Sequence, residues 1–380
     1  MNNHYSASSI ELYMEKVAND NYLQFFNQGY ATAGHNGPHG HSDTPARNTA
    51  HYLVIYSYLY KKTRDEQYLN ICHKFVDYLV NLQKSSQSGA IECMTTDRFD
   101  HLNGLIGQGW VIEGLMYYYS INQDPRCLNT SLEIFYSQKY DWNLHLWHRI
   151  ELDGRDIDID PTYNHQFWFA ACSSILSDYC NDTEIEHIIL DFIDESSKRD
   201  FRIYKNGLQK HYCNVNSPSI SNAKKKRLIK YLLTPIRWYN PKKLDPRYQE
   251  YGYHLFDLYG WCILQERYPK LDLFKSDKYL KAVAFAKNID EINNLNGVEK
   301  YLNTGMSFNI YSYSYNCPTF EWPFIAKVNG FANDSQICSL YETLQSLMWE
   351  EKTGQFSKNQ PDIDTWNART YEIIRYLDKI

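Results

Sequence analysis

The stretch PARNTAHYLVIYSYLYKKTRDEQYLNICHKFVDYLVNLQ (45–83) contains two helical patterns of different kinds. Residues 46–60 are apolar on almost every side, which is typical of a buried helix. Residues 66–83 place apolar and charged side chains at alternating three- and four-residue spacings, as a surface helix does. The short segment KKTRDE between them makes the two helices antiparallel neighbours. The stretch therefore predicts a helical hairpin with one inner and one outer member.

The same couplet recurs along the chain. Inner helices are expected to begin near residues 46, 103, 163, 250, 315 and 364, in steps of about 57, 60, 87, 65 and 49 residues. Each step is long enough for two helices and their loops. The N-terminal helix, expected over residues 8–26, would be the outer partner of the last inner helix and close the ring. The pattern predicts an all-α (α/α)6 toroid of six inner and six outer helices, forming a single domain over residues 1–380. An open helical solenoid is the alternative.

Two insertions interrupt the repeat. Residues 139–160 contain Asp153–Gly154, a dipeptide that favours a turn between two short strands. Residues 199–246 are expected to form a small hairpin or a basic, lid-like insertion. Nine Lys or Arg residues and one acid lie in residues 224–247, so this segment could cover an anionic substrate or weakly contact acidic lipid headgroups. A solvated loop is the simpler interpretation.

Composition narrows the class of protein. The 380-residue chain carries a net charge of −6, which argues against a nucleic-acid partner. It contains 34 Tyr, a side chain suited to lining a wet groove, although a compositional bias could also explain the number. The nine Cys residues include no C-x-x-C pair, and the N-terminus lacks a signal-peptide pattern. We therefore expect reduced thiols and a cytoplasmic protein.

In a ring of helical hairpins, the polar segments that precede the inner helices would meet at one end. Of the segments 40–49, 99–110, 158–168, 248–256, 313–322 and 364–373, the third is the richest in chemistry. It combines Asp158 and Asp160 with Asn164 and His165, which is a plausible acid–base centre. The acids could instead cap the helix. The His-rich loop before Asp43 has no typical metal-ligand spacing, so neither a metal nor a cofactor is expected.

The candidate residues come from all six segments. The catalytic candidates are acid–base or carboxylate side chains: Asp43, Asp160, Asn164, His165, Glu321 and Asp364. The substrate-binding candidates are aromatic, basic or amide side chains: His41, Arg47, Gln108, Trp110, Tyr163, Trp168, Tyr253, His254, Tyr315, Trp366 and Arg369. The structural alternative for Arg47 is an internal ion pair. The structural alternative for Gln108 and Trp110 is tight helix packing.

The segments TPARNTAHYLVIYSYLYKKTRDEQYL (44–69) and HLNGLIGQGWVIEGL (101–115) resemble (α/α)6-toroid carbohydrate-active enzymes linked to bacterial polysaccharide metabolism. YNHQFW (163–168) is similar to the Asn-His pair that opens an inner helix in uronate lyases, although the β-sandwich domain of those lyases is missing. The Gly-His-x-x-Glu pattern expected of sugar 2-epimerases is also missing.

This resemblance implies a glycan substrate, containing acidic sugars, that is hydrolysed between paired carboxylates. One alternative is a uronate lyase or C5-epimerase in which His or Tyr is the base and Asn or Arg neutralises the carboxylate. The other is a non-catalytic glycan-binding toroid.

Overall fold

The computed structural model describes residues 7–35, 37–95, 100–180, 182–216, 247–305, 309–331 and 333–379, together with residues 218, 221 and 225. Most of the basic segment 224–247, with its expected lid and membrane contact, therefore lies outside the described residues. Within the described part, no helix combines the length and apolar character needed to cross a membrane.

Six buried helices form the inner ring, as the sequence predicts. They are Ala46–Thr63, Gly104–Asn122, Tyr163–Ser173, Tyr248–Arg267, Pro318–Val328 and Ile363–Ala368, the last continuing through a 3-10 turn, Arg369–Ile373, into Ile374–Leu377. Each inner helix packs against the next, and the sixth packs against the first, so the ring is closed. We refer to them below as the first to the sixth inner helix.

Close packing explains the glycines of the second inner helix. A Cβ added at Gly114 would lie 2.6 Å from the backbone oxygen of Ala50 on the first inner helix. A Cβ at Gly109 would lie 3.3 Å from Cα of Phe169 on the third. The packing interpretation of this glycine-rich segment is therefore confirmed at both positions.

The outer helices cover the ring and are amphipathic. They are Ala7–Gln28, Glu66–Lys84, Pro125–Ser137, Thr183–Asp191, Asp277–Lys287 and Asp334–Met348. The fourth of these continues through a π turn, Phe192–Ser196, into the short helix Ser197–Arg199.

The N-terminal helix closes the outer layer. Tyr68 on Glu66–Lys84 donates to Oδ1 of Asn19 at 2.9 Å, and Tyr13 packs edge-on against Tyr341 on Asp334–Met348 at 5.8 Å. Both closing contacts, and with them the (α/α)6 toroid, agree with the sequence prediction.

The remaining elements are short. Strands β1 (Tyr140–Asp141), β2 (Leu146–Ile150) and β3 (Asp156–Ile159) form an antiparallel sheet in the order β1-β2-β3. The β2–β3 turn contains Asp153–Gly154, as expected, with Gly154 at φ +81°. Short helices Ile289–Leu295 and Val298–Thr304 follow the fifth outer helix. The fifth inner helix begins at 318, three residues later than predicted, because Pro318 occupies its first turn.

Candidate active site

The polar segments before the inner helices meet at one end of the ring. The first and sixth are joined by Arg47, whose Nη2 donates to Oγ1 of Thr365 at 2.7 Å. The second and third are joined by the backbone N–H of Leu105, which donates to Oδ2 of Asp160 at 3.2 Å. The fourth and fifth are joined by Asn316, which donates to the backbone oxygen of Gly252 at 2.9 Å. These contacts join the starts of the inner helices in three neighbouring pairs.

His165 and Asp160 form a dyad at this end. Nδ1 of His165 lies 2.9 Å from Oδ2 of Asp160, and the His165 side chain remains 23% exposed. Asp160 is buried and also accepts the backbone N–H groups of Leu105 and Thr162. Burial opposes ionisation of Asp160, but His165 and Arg149 outweigh it and hold the pKa of this carboxyl below its usual value. An ionised Asp160 fixes His165 as the Nδ1–H tautomer.

The other ring nitrogen is available for chemistry. Nε2 of His165 makes no hydrogen bond to any residue that the structure describes. Gly104 makes room for the ring: it lies at φ +60°, and a Cβ there would come within 2.6 Å of Nδ1 of His165 and also meet the Asp160 carboxylate. The arrangement is therefore a carboxylate-oriented imidazole with one exposed nitrogen, which is suited to proton transfer.

A second group consists of two carboxylates that share one guanidinium. Nη2 of Arg47 contacts Oδ2 of Asp43 and lies 3.9 Å from Oδ2 of Asp362. Asp362 caps the sixth inner helix by accepting the N–H of Thr365, and it also accepts the N–H of His35 at 3.0 Å. The two carboxylates are therefore closer than the roughly 9.5 Å upper limit seen in inverting glycosidases.

Their environments move the two pKa values apart. Burial raises the pKa of Asp43 to about 6, against the opposing effect of Arg47 and with a contribution from Asp362. For Asp362, burial is outweighed by Arg47 and by hydrogen bonds from His35 and Thr365, so its pKa lies below the usual value. Such a divergence can assign acid and base roles. However, both carboxyl oxygens of Asp43 are buried, and its side chain is only 2% exposed.

An aromatic wall, formed by the rings of Tyr253, Tyr311 and Tyr315, lies at this end of the toroid. The hydroxyl of Tyr253 lies 3.2 Å from Nε2 of His39, and the Tyr253 ring is 6.0 Å from Tyr311 and 6.1 Å from Tyr315. His211 lies 5.4 Å from Tyr253 on another side. Rings of this kind can stack on sugar C–H faces while their polar atoms hydrogen-bond. Tyr253 and Tyr315 lie close together here, each 7% exposed, and substrate contact by these two residues stays a prediction.

A group of buried polar side chains, which we call the sealed layer, surrounds Arg369. Its guanidinium donates to Glu372, Glu321, the Asn316 side chain and the backbone oxygen of Tyr315. Burial raises the pKa of Glu321 well above its usual value and that of Glu372 to about 7. Glu321 is 0% exposed, so this predicted catalytic candidate and Arg369 serve in the structure as a buried ion cluster.

Asn164 contacts an acid that the sequence analysis does not single out. Its side chain hydrogen-bonds the carboxyl of Asp257, which lies one turn after Tyr253 on the fourth inner helix. Burial raises the pKa of Asp257 well above its usual value, in spite of the Asn164 hydrogen bond. Burial therefore favours the protonated form of Asp257, which Asn164 contacts.

Four of the predicted aromatic candidates pack in the protein core. Each of these side chains points towards neighbouring helices rather than towards the axis of the toroid. Tyr163 packs on Phe167 and Trp261, Trp168 stacks on Phe256 and Tyr259, His254 bonds the Ala282 oxygen and contacts Phe285, and Trp366 packs on Phe320 and Phe356. Burial lowers the pKa of His254 to about 4, so it stays neutral in this apolar setting.

Three further candidates lie in different surroundings from one another. Gln108 is fully buried and pairs with both the N–H and the oxygen of Ile91, which agrees with its packing alternative. Asp364 is exposed, because the chain turns Asp362 rather than Asp364 towards Arg47. His41 is half-buried in the loop before Asp43.

Sequence reasoning missed Asp362, Asp257, His51 and Tyr311. Asp362 could be recognised as the helix-capping Asp before Ile363. Asp257 and His51 each follow a predicted candidate, Tyr253 and Arg47, by four residues on the same helix face. Among the residues that the structure describes, no group of three His, Cys, Asp or Glu side chains is arranged to hold a metal ion.

Solved structures with the same fold span nearly the whole chain. A D-mannose isomerase matches with a TM-score of 0.63 at 11% identity, covering 99% of this chain and 98% of that one. The unsaturated glucuronyl hydrolase from Bacillus sp. GL1 matches with 0.62 at 10% identity, covering 96% and 94%. A cellobiose 2-epimerase from Spirochaeta thermophila matches with 0.61 at 10% identity, covering 98% of each chain. The chain therefore has the (α/α)6-toroid fold that these carbohydrate-active enzymes share.

A relative is also recognisable by sequence. The chain is 27% identical over 360 residues to archaeal glycosylation protein Q of Haloferax volcanii, covering 92% of each protein. This relative is archaeal, whereas the sequence resemblance pointed to bacterial polysaccharide metabolism. No protein-family model matches the chain.

Proposed function

We propose that this protein is a glycan-processing enzyme that transfers protons at a sugar carbon, with His165 as the acid–base group. The observation that carries the proposal is the His165–Asp160 dyad: Nε2 of His165 makes no hydrogen bond within the described part of the chain, and the His165 side chain stays 23% exposed. A positioned acid–base group contributes roughly 10²–10⁴-fold to a rate. Epimerisation, isomerisation and elimination all begin with removal of a proton from carbon.

Three further features support a sugar substrate. The aromatic wall of Tyr253, Tyr311 and Tyr315 provides stacking surfaces beside the dyad's end of the ring. The toroid neighbours are named as sugar isomerases, epimerases and hydrolases, and the sequence relative is named as a glycosylation protein. In an epimerisation, His165 would take the proton, and the Tyr253–His39 pair is the candidate for returning one.

Hydrolysis is the second candidate, and the Asp43–Arg47–Asp362 group favours it. Asp43, with a pKa of about 6, would be the general acid, and the ionised Asp362 would be its partner carboxylate. This reaction requires a movement that exposes Asp43, because its carboxyl oxygens are buried. The dyad needs no such movement, and for this reason we place proton transfer first.

The two reactions are separable in one experiment. The protein is incubated in D₂O with neutral and uronate-containing oligosaccharides, and proton NMR follows C–H exchange while a second assay follows new reducing ends. We expect C–H exchange, reduced by about 10²–10⁴-fold in His165→Gln and by a similar factor in Asp160→Asn. His187→Gln, on an exposed outer-helix position, is the control and should retain full activity.

The other outcomes are equally informative. Reducing ends without exchange, lost in Asp43→Asn and kept in His165→Gln, would replace this proposal with hydrolysis. Binding of the oligosaccharides with neither reaction would identify a glycan-binding toroid.

A further inference from the structure

Two buried arginines near the ring axis differ in how their N–H groups are used. Arg369 has all five donors matched: Nε to Glu372, Nη1 to Asn316 and the Tyr315 oxygen, and Nη2 to Glu321 and Glu372. A guanidinium has five N–H donors, so Arg369 has none left for a ligand. Its role is structural.

Arg47 is as deeply buried but only partly matched. It is 1% exposed, and its Nη2 contacts Thr365, Asp43 and Asp362. Its Nε and Nη1 atoms, which carry three N–H groups, have no hydrogen-bond partner in the described part of the chain. An unsatisfied buried donor is unfavourable, and more so when it is charged. Native proteins rarely leave such groups without an acceptor from solvent or a ligand.

Two neighbours of Arg47 share this property. The Arg47 guanidinium lies over the Trp110 ring at 5.6 Å, and Nε1 of Trp110 has no partner among the described residues. His51, four residues after Arg47, stacks on Tyr371 at 4.4 Å, and neither of its ring nitrogens is hydrogen-bonded within the same set. Burial, reinforced by Arg47 and Arg369, lowers the pKa of His51 well below its usual value, so its ring is neutral.

We propose that Arg47, His51 and Trp110 form a donor-rich subsite at the ring axis that binds the carboxylate of an acidic sugar. This inference rests on the proposed function, since it names the substrate class of the same site. One carboxylate can accept an N–H from Nε or Nη1 of Arg47, one from Trp110 and one from neutral His51. These three donors are within the roughly four lone-pair sites of a carboxylate, and the positive guanidinium strengthens the hydrogen bonds.

The neighbouring charges favour a singly charged group. Asp43 and Asp362 both flank Arg47, so a dianionic phosphate would meet more repulsion than a carboxylate does. A bound carboxylate also disfavours ionisation of Asp43, which should take up a proton on binding. The charged or titratable groups that face Asp43 come from several elements and are Arg47, Asp362, His35, Cys93 and Tyr315.

The subsite lies beneath Tyr315 and the loop before Asp43. The Tyr315 ring lies against Gly37, where an added Cβ would clash with it, and Gly37 donates to Asp362 at 3.4 Å. His35 donates to the same carboxylate. Arg47 is 1% exposed, so a ligand reaches it only when side chains around it move aside.

Binding is tested without turnover. Calorimetric titrations at pH 5.5 and 7.5 compare methyl β-D-glucuronoside, methyl β-D-glucoside and glucose 6-phosphate. We expect the glucuronoside to bind at least about tenfold more tightly than the glucoside, with the larger preference at pH 5.5. Arg47→Gln should abolish the preference, and Trp110→Phe, which keeps an aromatic ring but removes the indole N–H, should reduce it about threefold. Arg155→Gln, at an exposed position, should leave it unchanged.

Several results would overturn the inference. Equal affinity for the glucuronoside and the glucoside means that the donors hold only water, and tighter binding of the phosphate means the wrong anion. A preference that survives in both Arg47→Gln and Trp110→Phe places the carboxylate elsewhere. Because Arg47→Gln could unfold, Trp110→Phe provides an independent reading. Each of these failures leaves His165-dependent proton exchange untouched, whereas loss of exchange alone refutes the proposed function and not this subsite.

Discussion

Replacing Asp43 by Asn should change the pH dependence of stability in a calculable way. Burial raises the pKa of Asp43 to about 6 from an ordinary value of 3.8. One pKa unit corresponds to about 1.4 kcal/mol, so the ionised Asp43 costs the folded state about 3 kcal/mol relative to its protonated form. The folded pKa is the higher one. The cost is therefore absent below pH 3.8, grows between pH 3.8 and 6, and is complete above pH 6.

Asn has a similar shape and does not titrate, so only the wild-type protein carries this cost. Subtracting the free energy of unfolding of Asp43→Asn from that of the wild type cancels the titrations that both proteins share. Between pH 5 and 7.5 this difference should fall by about 1.5 kcal/mol. Urea unfolding followed by tryptophan fluorescence measures the difference at each pH.

The control is Asp153→Asn, which makes the same chemical change at an exposed turn position. A pH-independent difference for Asp43→Asn would mean that Arg47 fully compensates for burial. A difference that grows with pH would mean that the ionised form is favoured in the folded state. Either result refutes the raised pKa and removes Asp43 as a general acid.

Two further predictions concern the sealed layer and the dyad. Arg369→Met leaves Glu321 and Glu372 buried without their shared cation, so it should destabilise the protein by roughly 3–5 kcal/mol in urea unfolding at pH 7.5. The destabilisation should shrink at lower pH as these carboxyls protonate, and a loss below 1 kcal/mol at pH 7.5 would contradict the ion-cluster role. Gly104→Ala adds a Cβ beside His165 at a φ of +60°, which should lower the free energy of unfolding by about 1–2 kcal/mol. Turnover should fall by a larger factor than this loss of stability explains. Activity assays and thermal unfolding check this change, and unimpaired turnover would show that the position of the dyad does not matter.

Hydrophobic periodicity was sufficient to predict the toroid. The contrast between the all-round apolar helix after Pro45 and the amphipathic helix after Asp65 depends only on local sequence, and it repeats around the ring. The meeting of the polar segments at one end then follows from topology. This is why the segments that contain Asp43, Arg47, Asp160, His165 and Tyr253 could be predicted to lie at one end of the ring.

Which face of a helix an individual side chain occupies was harder to predict. Tyr163 and Asn164 are adjacent in sequence, yet one packs on Trp261 while the other hydrogen-bonds Asp257. Near a helix start, a shift of one residue turns a side chain by about 100° around the helix. Helix boundaries predicted from sequence are uncertain by more than one residue. The same shift explains why Asp362, and not Asp364, meets Arg47.

If the dyad and the proposed Arg47 subsite act on one sugar, together they would specify which proton is removed. A carbon next to a carboxylate is more acidic when a cation neutralises that carboxylate, because the charge that develops on deprotonation spreads onto its oxygens. In a hexuronate this carbon is C5. If Arg47 holds the carboxylate while His165 acts as the base, exchange in D₂O should appear at C5 and depend on both residues. Exchange at C2 instead would require a carbonyl at C1, and Arg47 would then contribute to binding alone. The position of the exchanged proton therefore tests whether the exposed histidine and the buried arginine act on the same sugar.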